Sequence, residues 1–297
     1  MLLNTEIPFS YILNKVKHEL VYVLLVSLLV LFITDRFRDF LPEMPLTIPA
    51  FMGTAISILL SFKLNQSYDR WWEARKVWGS IVNDSRSLIL QLQKFITKGN
   101  ESTIQKIAYR QIAWCYALGQ SLRGLNALEN LDRCIPVEEI ELVKKHKNRP
   151  LALLQLHNED LIMLKNASQL DIFSQIQIDN TLVRLCDAQG RAERIKSTVF
   201  PVTYRMFLHF IIYLFVITLS IALKDVGGFF EVPLLLFISS AFFLLERSAN
   251  HMQDPFENRP TDTSVTAIAA NIETNIRHLL GESTAVDLPQ QKTFYQL

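Results

Sequence analysis

Thr54, Ile58 and Phe62 recur at four-residue steps within the apolar stretch 50–64, so a helix stacks them one turn apart on a single face. Such a row has two readings. It packs against a neighbouring helix, or, repeated by symmetry around an axis, it forms rings narrow and apolar enough to gate by dewetting. One position earlier, Gly53, Ser57 and Ser61 make a row of small residues, the type that lets membrane helices approach closely. Under the second reading the small row packs and the larger row faces the axis. Past residue 64 the chain continues through Asn65 to Arg75 without Gly or Pro, so the helix is expected to run on. Trp71 and Trp72 suit an interfacial aromatic belt. Asp69, Arg70, Glu73 and Arg75 read either as a solvated face or as ion pairs between subunits.

A second group of polar side chains lies at 254–263, where Asp254-Pro255-Phe256 breaks an apolar run. Its oxygens invite a cation, but Arg259 and Pro260 interrupt them, so a turn is the better reading. Thr261, Asp262 and Thr263 are then cap candidates for a helix through 265–280. His209 and Glu231 fall inside apolar runs, where ionisable groups are functional candidates by default. Both are isolated: His209 is expected to bond a neighbouring helix, and Glu231 to sit at headgroup level. Cys115, Cys134 and Cys186 lack the spacing of a disulfide framework or a metal site. No His-Glu-x-x-His, Gly-x-Ser-x-Gly or phosphate-cradling glycine loop is present, and no enzyme, metal or cofactor is expected. A formal net charge of +1 provides no field for nucleic acid.

These residues have to be placed by a chain of 297 residues that is 49% hydrophobic. Four nearly uncharged stretches, 20–34, 46–62, 206–223 and 229–245, approach the length needed to cross a bilayer. They stand in two pairs around a region, 63–205, that is mostly water-compatible. The first stretch resembles a signal peptide in following Lys15 and Lys17, but no small-residue cleavage site comes after it, and it is read as retained. Basic residues gather at Lys15, Lys17, Lys63, Arg70, Arg75 and Lys76 and at Arg191, Arg194, Lys196, Arg205 and Arg247. The opposite loops, 35–45 and 224–228, are short and carry no basic excess, so both termini and 63–205 are expected in the cytoplasm. Apolar spacings of three, seven and four residues through Trp78, Ile81, Leu88 and Leu92, and the pairs Ile104–Ile107 and Ile112–Tyr116 three and four apart, predict helices. Gly99-Asn100 and Arg149-Pro150 mark breaks, 136–147 reads as a charged helix, and 168–189 as an amphipathic one. With no strand-like alternation, the fold class is all-α. Residues 246–281 are expected to be a cytoplasmic helical segment and 282–297 a polar tail.

Tyr68-Asp69-Arg70-Trp71-Trp72-Glu73-Ala74-Arg75 after the second stretch, Phe200-Pro201-Val202-Thr203-Tyr204 before the third and Asp254-Pro255-Phe256 after the fourth are, in that order, similar to the bestrophin family of ion channels, above all its bacterial branch. The resemblance extends over nearly the whole chain, 1–297, as one unit. It implies a homopentamer in a bacterial inner membrane, in contact with lipid and passing small monovalent ions along its fivefold axis. It assigns Thr54, Ile58 and Phe62 to a pore neck, and Ile172 or Phe173 to a second, cytosolic constriction. Arg70, Trp71, Trp72, Asp254, Pro255 and Phe256 are the motif residues. Animal members hold calcium with acidic residues after Pro-Phe; here Glu257-Asn258-Arg259-Pro260 stand there, and no calcium activation is expected. The resemblance implies passage of chloride and other anions first, although bacterial members can pass cations instead; the positive ring edges of Phe62 would suit an anion. The alternatives are a sodium-type cation channel of the same architecture and a non-conducting membrane scaffold that binds a cytoplasmic partner.

Overall fold

Helix ends in this protein follow caps and breakers rather than the edges of hydropathy. A computed structural model describes residues 8–37, 44–198, 201–223, 228–283 and 295, and among the described residues the chain is helical with no strand. Pro8 lies in extended backbone and α1 (Phe9–Arg36) starts right after it. The helix thus begins well before residue 20, because Lys15, Lys17 and Glu19 are compatible with helix and nothing there breaks it. α2 (Thr47–Phe95) runs for 49 residues through the charged stretch after Phe62, as the absence of Gly and Pro there predicts. It is followed by Gly99, whose φ of 100° suits only glycine. Among the described residues, four helices are long and apolar enough to cross a membrane: Phe9–Thr34, α2, Val202–Ala222 and Phe230–Gln253.

The chain divides into two compact units. The first, Thr5–Arg70 and Val199–Gln253, contains α1, the N-terminal half of α2, α7 (Val202–Ala222) and α8 (Gly228–Gln253). Its interior is Val16, Val23, Ile56, Leu60, Leu208, Ile212, Phe215, Val216, Leu235 and Phe243. Tyr22, Leu25, Phe32, Phe210 and Phe237 are exposed, as expected of helices whose outer faces meet lipid. Polar side chains satisfy themselves along their own helices: Ser27 Oγ donates to the Val23 carbonyl at 2.7 Å, and Ser239 Oγ to that of Leu235 at 2.6 Å. A Cβ at Gly53 would come within 3.3 Å of the Phe215 ring, so a small residue is needed where α2 approaches α7.

The second unit comprises Trp71–Thr198 and the chain from Asp254 on. The C-terminal half of α2, α3 (Glu101–Leu122), α5 (Arg149–Asn166), α6 (Ile172–Ser197) and α9 (Val265–Leu279) enclose a core with Trp78, Ile81, Trp114, Leu118, Leu153 and Ile272 at its centre. The charged helix is short, α4 (Val137–Lys144). The Arg149-Pro150 break proves to be a start: Asn148 caps α5 by accepting from Leu151 N at 3.1 Å, with Pro150 in the first turn. The amphipathic helix begins at Ile172 rather than at 168, because Ser168 has positive φ and Asp171 is the cap. Arg110 lies buried where α3, α4 and α5 meet. It binds both oxygens of Glu139, at 2.8 and 2.6 Å, and Asp160 Oδ2 at 2.5 Å. Next to it the His157 ring is fully enclosed with no hydrogen-bond partner on either nitrogen among the described residues. Burial, reinforced by the Arg110 charge, holds its pKa well below the ordinary histidine value.

The short loop expectations, 35–45 and 224–228, fall largely outside the described residues, as does the tail beyond 283 apart from residue 295. The first tail residue is docked rather than loose: Glu282 accepts from Tyr109 Oη at 2.9 Å and from Arg277 Nη1 at 3.0 Å.

Candidate pore helix and its flanking motifs

α2 presents two opposite faces in the membrane unit. Ile56, Leu60, Lys63 and Ser67 are buried against α7 and α8, and the other side of the helix is open. Ile58 is 53% and Phe62 63% exposed, and Thr54 is exposed with them. The Thr54 hydroxyl donates to the Ala50 carbonyl at 2.9 Å, so its proton is committed within the helix. In the small row Gly53 packs on Phe215, while Ser57 and Ser61 are uncovered by their own chain, whose packing face runs through Ile56 and Leu60. Phe51, 77% exposed, extends the open row towards the N-terminus of α2 by about two turns from Ile58. Phe51 lies three residues, not four, from Thr54, so it falls outside the four-residue pattern visible in the sequence.

Charge along the helix is sorted by these faces. Lys63, next to Phe62 in sequence, points inward and pairs with Glu246 of α8 at 2.8 Å, both side chains being buried. Glu246 also accepts from Asn250 Nδ2 at 2.6 Å. Arg70 turns to the end of α8, its Nε donating to the Gln253 carbonyl at 2.5 Å. Asp69 is exposed. His209 bonds its own helix rather than a neighbour: Nδ1 lies 3.2 Å from the Arg205 carbonyl and 3.7 Å from Glu246 Oε1. Glu231 is buried and accepts from Ser220 Oγ at 2.5 Å.

The motif residues of the second unit are structural in their contacts. Trp71 Nε1 donates to the Thr261 carbonyl at 3.2 Å, and the Trp71 and Trp72 rings stack with centroids 6.3 Å apart. Glu73 pairs with Lys76 at 2.6 Å. Pro255 and Phe256 are buried, whereas Asp254 is exposed. Asp262 does not cap α9 as its position suggests. Its Oδ2 accepts from Glu257 N at 2.8 Å and Arg259 N at 3.0 Å, closing the 254–264 loop on itself. Burial raises its pKa against the pull of those two N–H groups. Asn258, at φ 63°, makes the turn they need. This hub is missed from sequence because its partners are backbone groups, which carry no residue signature. Among the described residues no three His, Cys, Asp or Glu side chains gather as metal ligands do.

Ile172 and Phe173 stand in the first turn of α6, 54% and 79% exposed. Asp171 Oδ1 fixes that turn by accepting from Phe173 N at 2.9 Å and Ser174 N at 3.1 Å, and hydrogen bonds from Ser174 above all lower its pKa. Two of the three thiols are sealed: burial pushes Cys115 up to about 12 and Cys134 up to about 11, while Cys186 is exposed.

Known proteins share this arrangement. Residues 4–278 match the family described as bacterial/fungal bestrophin protein. A voltage-dependent anion channel-forming protein of Ralstonia nicotianae is 30% identical over 82% of this chain and 80% of its own. The voltage-dependent anion channel-forming protein YneE of Escherichia coli K12 is 28% identical over 92% of this chain and 89% of its own. Among solved structures, a bacterial bestrophin homolog from Klebsiella pneumoniae superimposes with a TM-score of 0.85 at 25% identity, covering 91% of this chain and all of that one. With four apolar helices of spanning length, this is an integral membrane protein, and the chain belongs to the bacterial/fungal bestrophin family.

Proposed function

We propose that the protein is a homopentameric channel of the inner membrane that passes small monovalent ions, anions foremost, with both termini in the cytoplasm. The observation that carries the reading is the open row on α2. Phe51, Ile58 and Phe62 are large apolar side chains, with the more polar Thr54 among them, left uncovered by their own chain, in a protein whose family relatives are named for forming anion channels. Around a fivefold axis, Thr54, Ile58 and Phe62 form three rings over about 12 Å. A small ion that sheds water beside Ile58 and Phe62 meets a steep barrier, which makes this neck the gate. Ile172 and Phe173, exposed at the start of α6, form the second constriction on the cytosolic side. Passage needs no bond chemistry, and no group arranged for catalysis is required.

A monovalent cation channel of the same architecture is the second reading. One observation favours it: both cations nearest the row, Lys63 and Arg70, are engaged on the other side of the helix.

The test is electrical. Purified protein in planar bilayers under asymmetric sodium chloride should reverse towards the chloride equilibrium potential, and Ile58→Ala should raise the unitary current severalfold by widening the neck. Reversal near the sodium value would turn the choice to the cation reading. Absence of current from wild type and variant alike would reject the channel.

A further inference from the structure

The fate of charge along α2 carries a step beyond the pore itself. At about 100° per residue, Asp69 falls on the line between Ile58 and Phe62, within about 20° of each, two turns past Phe62. It is exposed, and among the described residues it makes no hydrogen bond or ion pair. The neighbouring cations do not balance it. Lys63 lies on the buried face, roughly 100° round the helix from Phe62, and its charge is met by Glu246 at 2.8 Å. Arg70 is next to Asp69 in sequence but donates to the Gln253 carbonyl on the packed side. Among Asp, Glu, Lys, Arg and His side chains, the open face from Phe51 to Arg70 therefore presents a single one, and it is an acid.

We propose that Asp69 is the charge-selectivity residue of the pore. Resting on the neck assignment above, five Asp69 carboxylates form a ring about 10 Å to the cytoplasmic side of the Phe62 ring. There they concentrate monovalent cations and raise the barrier to anions. An anion crosses against this ring, so the ring holds down the chloride-to-sodium permeability ratio whichever ion the channel prefers.

The experiment is the reversal potential of the full-length purified protein in planar bilayers under asymmetric sodium chloride. Asp69→Asn should raise the chloride-to-sodium permeability ratio by about threefold or more, and Asp69→Lys further, while Asp69→Glu keeps the wild-type ratio. The difference between wild type and Asp69→Asn should shrink from 0.05 M to about 1 M salt, as screening shortens the reach of the ring to about 3 Å. An unchanged ratio in Asp69→Asn, with Ile58→Ala still raising unitary current, overturns the proposal and leaves the neck standing. If Ile58→Ala is silent as well, the neck assignment itself fails. Loss of assembly in Asp69→Asn, seen as a smaller species on size exclusion, would put Asp69 in a subunit contact and overturn the proposal too.

Discussion

Lys63 and Glu246 are oppositely charged side chains that the membrane unit hides completely, on the back of the helix whose front is open. A pair of this kind does little for stability against a well-packed apolar replacement, but removing one partner strands the other. Glu246→Ala leaves the Lys63 ammonium without a counter-charge and should cost about 3–5 kcal/mol. The double variant Lys63→Met/Glu246→Leu should regain most of that loss. Survival of the assembled species after heating in detergent, read by size exclusion, separates the two. Equal survival of Glu246→Ala and wild type would mean the pair does not hold α2 in place. The pair also explains why a lysine can follow Phe62 directly without lining the same face: successive residues of a helix are turned by about 100° from one another.

At the scale of elements, the junction of α3, α4 and α5 is built around charge as well as apolar packing. Arg110 is matched by Glu139 and Asp160, and His157 is kept neutral inside the same junction. The sign of its pH effect follows from linkage. The unfolded chain takes up a proton at His157 near the ordinary value of 6.5, and the folded chain does so only well below it. Between those values the unfolded state holds more protons, so stability falls as pH drops below about 6.5, by up to about 1.4 kcal/mol per pH unit from this residue. Wild-type melting temperature should therefore decline between pH 7 and pH 5.5, and His157→Gln should show a shallower decline over the same range. Parallel curves would mean that His157 is protonated in the folded protein. α5 also shows how a helix is placed by its start: Asn148 and Pro150 open it.

At the scale of the molecule, a unit expected in water leaves large apolar side chains uncovered. Leu151, Ile162, Met163, Ile176 and Val183 are exposed on α5 and α6. Patches of this kind mark a surface that meets a partner, and in the proposed pentamer the partner is another copy of this chain. Val183→Asp should then shift the particle from a pentamer to smaller species on light scattering, with helical content unchanged by circular dichroism. A pentamer of unaltered mass would remove this face from the subunit contact. Particle symmetry in detergent is the direct check on the axis that all the pore assignments share.

The amino-acid order alone determined the all-helical class, the four apolar helices, the unbroken course of α2 and the row of Thr54, Ile58 and Phe62. Each of these follows from local rules: periodicity, apolar length and the lack of breakers between Thr54 and Trp78. It also held enough motif to indicate the family. Helix ends were less legible, since hydropathy marks where a chain can meet lipid, whereas Pro8, Asn148 and Asp171 decide where helices begin. Only the tertiary structure decided which face of α2 is covered and which is open, that Lys63 is neutralised by a residue 183 positions away, and that Asp262 closes a loop instead of capping a helix. Periodicity defines faces but not their partners. Those partners are distant side chains and backbone groups, brought close only when the helices pack.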